Sequence, residues 1–202
     1  TQNINIAIHY FFKVAKQKNA EAQFTLGVIF SEGKYVKKDM QKAIYYYSLA
    51  AEQNYLNAQY NLGYIFDKNE QRDVEKAIKY YSLAANQNHP SASFNLFTIY
   101  FSGKDVPQDI NNSIYYLTIA ADHNNVEAQF NIGLLFERGQ YVPRDIKKSI
   151  YYYSRAAENN HPIAQLNLGL IYFSSNNNEI RDIKKAVYYF TLSAERNNCK
   201  AQ

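Results

Sequence analysis

The sequence predicts an all-α fold, an α-solenoid of antiparallel helix pairs with about 36 residues per unit. Three observations predict it. The motif Ala-x-x-x-(Leu/Ile), followed by Gly in all full copies but that at Ala92, returns at Ala22, Ala58, Ala92, Ala128 and Ala164, with a truncated copy at Ala201, at spacings of 36, 34, 36, 36 and 37 residues. Each full copy is followed by an Asp and a Tyr-rich stripe ending in a pair of small residues. Gly and Asn recur at fixed places between the stripes. A repeated unit in this size range cannot bury its apolar face alone, so it stacks on its neighbours. The functional question therefore moves from a catalytic cleft to a surface.

Residues 3–17 are read as a lone second helix, because Ala7, Tyr10, Phe11 and Ala15 align with Ala43, Tyr46, Tyr47 and Ala51. Units follow at 20–54, 55–88, 89–124, 125–160 and 161–197, and 198–202 begin a further one. In the first unit Ala22, Leu26, Ile29 and Phe30 share one helical stripe, while Ala43, Tyr46, Tyr47, Ala50 and Ala51 share another. Small positions on one helix can receive large ones from its partner. The whole of 1–202 is read as one array. Neither end carries the polar outer face that a terminal unit needs, so a longer parent protein is expected.

The punctuation fits the stripes. Asp39, Asp73, Asp109, Asp145 and Asp182 each precede a second helix, where a carboxylate can accept from the free N–H groups of the first turn. Asn54, Asn88, Asn124, Asn160 and Asn197 stand where a departing chain turns left-handed, a conformation Asn tolerates. Pro90 and Pro162 are placed to open first helices. Gly27, Gly63, Gly133 and Gly169 form a column inside the first helices, at about 1 kcal/mol each relative to Ala, which implies close approach of a neighbouring helix. Phe97 interrupts that column, and a local widening is expected there. The loops from Phe30, Tyr100 and Phe136 to the next Asp are nine residues, that from Phe66 is seven, and that from Tyr172 is ten. The last of these, through residues 174–178, is expected to be the most mobile.

Composition narrows the function classes. Hydrophobic residues make up 47% of the chain, with 20 Tyr, 12 Phe and no Trp, which is ample for a core and unlike a disordered segment. No apolar run approaches the roughly 18 residues of a membrane span, and no basic-then-apolar leader opens the sequence. Cys199 is the only cysteine, so no internal disulfide is possible and the cytoplasm is the default location, with a secretory lumen left open. The net charge of +4 gathers at Lys34, Lys37, Lys38 and Lys42 and at Lys147, Lys148, Lys184 and Lys185, much as solvated helix faces would.

The recurring Ala-x-x-x-Leu-Gly, the Gly and Val of the loops (Val36, Val106, Val142), Asp-x-x-Lys-Ala, Tyr-Tyr and Ala-Ala-Glu together resemble the SEL-1-like repeat family, relatives of tetratricopeptide repeats. The resemblance covers essentially the whole chain. Departures are Phe97 for Gly, Asn112 for Lys, Tyr46 and its column for a frequent Trp, and Asn for Gly after Ala-Ala-Glu. The resemblance implies a right-handed superhelix used as a scaffold or adaptor for protein complexes, including signalling assemblies.

Little in the sequence points to catalysis. His9, His89, His123 and His161 are scattered, and the two that share a column are too distant for one metal. No Gly-rich phosphate loop or inward-facing carboxylate pair is present. The reading is therefore of a protein that is not an enzyme, with no cofactor, no metal and no small-molecule substrate. Tyr10, Tyr46, Tyr80, Tyr116, Tyr152 and Tyr189 read as core packing with the hydroxyl at an edge. The neighbouring column, His9, Tyr45, Lys79, Tyr115, Tyr151 and Tyr188, tolerates charge and is expected to be more exposed.

The candidate binding surface lies on the first helices, on the face turned from Ala22, Leu26 and Phe30. It carries Phe24, Tyr60, Phe94 and Phe130, an Asn ladder at Asn61, Asn95, Asn131 and Asn167, and a third column that includes Tyr64. Asn amides suit the backbone of an extended peptide, and the aromatic residues suit its side chains. The other reading has the Asn side chains bonding within the array and the apolar columns packing between units. Protein or peptide partners are the main expectation. A nucleic-acid-binding solenoid is the alternative, suggested by a pI of 8.9 and stacked Tyr, and opposed by an Asn column too uniform for a base-reading code.

Overall fold

The computed structural model describes residues 2–70, 72–174 and 179–199. Among them are eleven α-helices and no strand: α1 (Gln2–Lys16), α2 (Ala20–Glu32), α3 (Met40–Glu52), α4 (Leu56–Lys68), α5 (Val74–Ala85), α6 (Pro90–Ser102), α7 (Ile110–Asp122), α8 (Val126–Arg138), α9 (Ile146–Glu158), α10 (Pro162–Ser174) and α11 (Ile183–Cys199). The chain divides into two compact units, Thr1–Leu96 and Phe97–Gln202. In the first, each helix from α1 to α5 packs on the next; in the second, α7 to α11 do the same. Each is a stack of helix pairs in which α2, α4, α6, α8 and α10 are the first helices of a repeat. Residues 175–178 of the long loop, and Ala201, lie outside the described residues.

Local chemistry sets the helix ends. Asp39, Asp73, Asp109, Asp145 and Asp182 each accept, through Oδ1, the backbone N–H three residues on at 3.0 Å. The backbone N–H of the same five residues closes the loop onto the preceding first helix, at Phe30, Phe66, Tyr100, Phe136 and Tyr172, over 2.9–3.1 Å. One closing bond thus serves loops of seven, nine and ten residues. Asn54, Asn88, Asn124 and Asn160 have φ of 62, 64, 68 and 66°, with Lys18 taking that place after α1. The residue after each Asn donates to the first Ala of the Ala-Ala pair, as in Tyr55 to Ala50 at 3.1 Å, which forms the Schellman ending. Asn197 does not act as a stop, because α11 continues through it to Cys199. Pro90 and Pro162 open α6 and α10.

The core depends on the glycine column. A Cβ built on Gly27, Gly63, Gly133 or Gly169 would lie 2.5, 2.5, 2.7 or 2.6 Å from a ring carbon of Tyr47, Tyr81, Tyr153 or Phe190 on the following helix. Tyr47, Tyr81 and Tyr153 are at most 2% exposed. Where Phe97 replaces Gly, the facing column has Leu117, fully buried, so a large-for-small exchange is answered by a small-for-large one. The deepest aromatic column is therefore that of Tyr47 and not that of Tyr46. Tyr46, Tyr80, Tyr116, Tyr152 and Tyr189 are half-buried, and Tyr10 is 59% exposed because no helix precedes α1 among the described residues.

That half-buried layer has its own logic. Each of its rings stacks on the end of the first helix, Phe30 on Tyr46, Phe66 on Tyr80, Tyr100 on Tyr116, Phe136 on Tyr152 and Tyr172 on Tyr189, within 9° of parallel. Lys42, Lys76, Lys148 and Lys185 lie over the first-helix ring of each pair, Phe30, Phe66, Phe136 and Tyr172, at 5.1–5.3 Å. Lys42, Lys76 and Lys185 also pair with the capping Asp. The adjacent column is exposed as expected, with Tyr45, Tyr115, Tyr151 and Tyr188 at 55–59%.

Consecutive repeats are also tied by a buried glutamine. Gln23, Gln59, Gln129 and Gln165 donate through Nε2 to the carbonyls of Ala15, Ala51, Ala121 and Ala157 at 3.1–3.4 Å, as a second donor beside the backbone N–H of the left-handed residue that ends each helix. Gln53 and Gln87 then donate to the Oε1 of Gln23 and Gln59 at 2.7 Å. Asn159 stands at the equivalent position for Gln129 but is one methylene shorter. Its amide turns to the Arg155 carbonyl, and the buried Gln129 Oε1 has no partner.

Two expectations follow from the packing. Gly133→Ala should lower stability by about 1–3 kcal/mol in urea unfolding despite the better helix former. With Tyr153→Leu added, the loss should be smaller than the sum of the single changes, reproducing the Phe97 and Leu117 exchange. Asn159→Gln should raise stability by about 0.5–1.5 kcal/mol by giving Gln129 Oε1 its donor, and an unchanged unfolding midpoint would argue against that pairing.

Candidate functional site

The aromatic column of the first helices is half-buried, and its rings bridge two elements. Phe24 lies 5.7 Å from Tyr47 and 5.1 Å from Tyr55. Tyr60 lies 6.1 Å from Tyr81 and stacks on His89 at 4.3 Å. Phe130 lies 5.8 Å from Tyr153 and stacks on His161 at 4.5 Å. Each ring thus joins its own second helix to the residue that opens the next first helix. Phe94 is half-buried in the same column.

The Asn ladder is half-buried along its length. Asn167 Nδ2 donates to the Tyr153 hydroxyl at 3.0 Å, and Asn61 lines the same recess as Tyr47. Asn95 lies near the Tyr81 hydroxyl, which is buried with no hydrogen-bond partner. Asn131 faces the column position of Leu117, which has no hydroxyl, and donates instead to the Glu127 carbonyl at 2.7 Å. Beside the ladder, Tyr64 and Leu170 remain 49% and 47% exposed.

The other side of each tyrosine hydroxyl faces the end of its own first helix. There Ser31 Oγ is 3.2 Å from the Tyr47 hydroxyl, and Glu137 Oε2 accepts from Tyr153 at 2.7 Å. Asp67, 5% exposed, lies near Tyr81 and is held by Lys68 at 2.7 Å and Arg72 at 2.8 Å. Where the facing residue is Leu117 or Phe190, that position is Phe101 or Phe173. Burial pushes all three phenols up. It also pushes Asp67 up, but Lys68 and Arg72 outweigh it and hold the carboxyl below its ordinary value.

In the first compact unit these features open into a cavity of about 390 Å³, lined by Ser31, Lys38, Tyr47, Asn61, Tyr64 and Lys68 among others. It brings together two residues of the sequence-derived surface, Asn61 and Tyr64, with hydroxyls and two ammonium groups that the sequence did not single out. The signal was present as co-variation, since Ser31, Asp67 and Glu137 accompany Tyr while Phe101 and Phe173 accompany Leu and Phe. Hydroxyl, amide and ammonium donors around an aromatic ring form a receptor for a polar or anionic group.

His89 and His161 are helix caps. Their Nδ1 atoms accept the N–H of Ala92 at 3.2 Å and of Ala164 at 3.1 Å, the role Asn19 and Asn125 fill with Oδ1 at 2.8 Å. Accepting at Nδ1 requires the neutral ring with its proton on Nε2, and burial holds His89 below the ordinary histidine value. Among the described residues no group of three or more His, Cys, Asp or Glu is placed to hold a metal ion. None of the described helices is long and apolar enough to cross a membrane.

The Sel1 repeat pattern matches residues 1–19, 20–55, 56–89, 90–125, 126–161 and 162–198. No curated protein matches the sequence. Similar solved structures include a protective antigen of uropathogenic Escherichia coli displaying an SLR fold, at 26% identity and TM-score 0.81, covering 94% of this chain and 41% of the antigen. A Sel1 repeat protein from Oxalobacter formigenes is similar at 30% identity and TM-score 0.76, covering 96% and 80%. Helicobacter pylori cysteine rich protein B is similar at 26% identity and TM-score 0.51, covering 65% and 96%. The chain thus spans less than half the length of the Escherichia coli antigen.

Protonation of His89 would place a hydrogen on Nδ1 against the Ala92 N–H and remove the cap. The unfolded chain, with an ordinary histidine near 6.5, takes up the proton more readily. Stability is therefore complete above about pH 6.5 and is lost as pH falls below it. His89→Asn keeps a cap that does not titrate, so the stability difference between about pH 7.5 and about pH 5.5 should shrink in that variant. Urea unfolding at both pH values checks this, and an undiminished difference would refute it.

Proposed function

Because the chain belongs to the Sel1 repeat family, we propose that it is a protein-binding scaffold that holds an extended segment of a partner protein on the open face of its first helices. Sel1 repeats commonly serve as protein–protein interaction scaffolds. The observation that carries the finer reading is the cavity at Asn61, where Tyr64 stands half exposed beside amide and hydroxyl groups. An exposed aromatic at the rim of a polar recess is the kind of residue that dominates an interface when a partner covers it. Within the first compact unit the rings of Phe24 and Tyr60 support the same surface from below by fixing the spacing of successive first helices.

Affinity capture with the folded chain, followed by quantitative mass spectrometry, tests the reading. Tyr64→Ala and Asn61→Ala should each reduce recovery of specific partners, Tyr64→Ala by about tenfold or more if the ring is an interface anchor. Tyr45→Ala, on the exposed second-helix column, should leave recovery unchanged. Loss with Tyr45→Ala and retention with the other two would move the interface to the second helices and overturn the proposal.

A further inference from the structure

The repeats carry an internal template for what the cavity at Tyr47 receives. At the equivalent place in the second compact unit, the Tyr153 hydroxyl donates to Glu137 Oε2 at 2.7 Å and receives Asn167 Nδ2 at 3.0 Å. Arg144 stands beside this pair, its Nε donating to the Glu137 carbonyl at 2.9 Å. At Tyr81 a carboxylate is again adjacent, that of Asp67, held by Lys68 and Arg72. Two of the three buried tyrosines therefore have a carboxylate of this chain at the end of the first helix.

Tyr47 has none in that position. Ser31 replaces the acid, and its Oγ at 3.2 Å from the hydroxyl leaves the rest of the acid's space within the cavity. The charge changes with it. Lys38 occupies the register of Arg144, and Lys68 stands where the second unit has Ser174, so two ammonium groups line the recess. Lys68 also pairs with Asp67, which Arg72 shares, so that cluster carries net positive charge. Glu32, whose charge acts on Tyr47, is exposed and stands outside the lining.

We propose, resting on the scaffold reading above, that this cavity binds the carboxylate of an Asp or Glu side chain in the partner's segment, which takes the place that Glu137 fills at Tyr153. The Tyr47 hydroxyl donates to the incoming oxygen as Tyr153 does to Glu137. Lys38 and Lys68 supply the counter-charge, and the Tyr64 ring covers the aliphatic stem. Charge-assisted bonds of this kind discriminate an acid from its amide, because an amide would leave both ammonium groups unmatched.

The test is an NMR titration of the isotopically labelled chain, following the Asn61 side-chain amide. The probes are the blocked pentapeptide Ala-Ala-Glu-Ala-Ala, its Gln counterpart and acetate ion. The Glu peptide should shift that resonance and saturate, with the Gln peptide weaker by about tenfold and acetate weaker still. Ser31→Glu supplies the acid from within and should abolish the response without lowering the unfolding temperature. Lys38→Gln, at an exposed position, should weaken the Glu peptide while leaving the fold intact. Equal binding of the two peptides, undiminished binding by Ser31→Glu, or acetate binding as tightly as the peptide would overturn the assignment. Partner capture lost with Tyr64→Ala but unaffected by Ser31→Glu would sink this inference and leave the scaffold reading standing.

Discussion

The structure depends on one contact, the seating of an aromatic ring against a glycine of the preceding helix. A methyl group at Gly27 or Gly63 would stand 2.5 Å from the facing ring, well inside the distance that carbon atoms tolerate. The first helix accepts the propensity cost of glycine because the alternative is to separate the pair and open the core. The third repeat shows that the constraint is one of summed size. Phe97 and Leu117 exchange the large and small roles, and Leu117 is as buried as the tyrosines it replaces.

Placing tyrosine at that position creates a second problem, since its hydroxyl reaches the edge of the core and must be satisfied. The chain answers from two directions. Glu137 at the end of the same repeat's first helix and Asn167 of the next repeat meet the Tyr153 hydroxyl from its two sides, Ser31 meets that of Tyr47, and the Tyr81 hydroxyl is left without a partner. Where the facing residue is Leu117 or Phe190 and carries no hydroxyl, Phe101 and Phe173 take over the first position, and Asn131, opposite Leu117, turns to its own helix. The proposed binding surface and the core are thus two ends of the same side chains. A recess opens where one answer is shorter than the others.

Much of the fold was legible in the sequence because it rests on local chemistry. The capping Asp residues, the left-handed Asn stops and the helix-opening prolines act within four residues of themselves, so spacing alone located them. Asn197 failed as a stop because a residue that tolerates left-handed geometry does not compel it, and α11 runs on. The choice between Tyr46 and Tyr47 as the deepest ring was out of reach of periodicity. Adjacent residues on a helix differ by about 100°, and both lie within an apolar stripe wide enough to hold them.

The sequence by itself determined the repeat length, the helix pairs, the capped helix ends and the family, since each is written as identity or capping chemistry at fixed spacing. The tertiary structure alone decided which polar side chains meet. No role attaches to the Gln column in the sequence, and only the structure places its amides on the helix ends of the preceding repeat. His89 and His161 read as incidental until their rings are seen capping a helix against an aromatic face. The cavity likewise joins Ser31, Lys38, Tyr47, Asn61 and Lys68 from three helices and a loop. Contacts of that kind depend on side-chain reach and orientation between elements, which the order of residues along one helix does not encode.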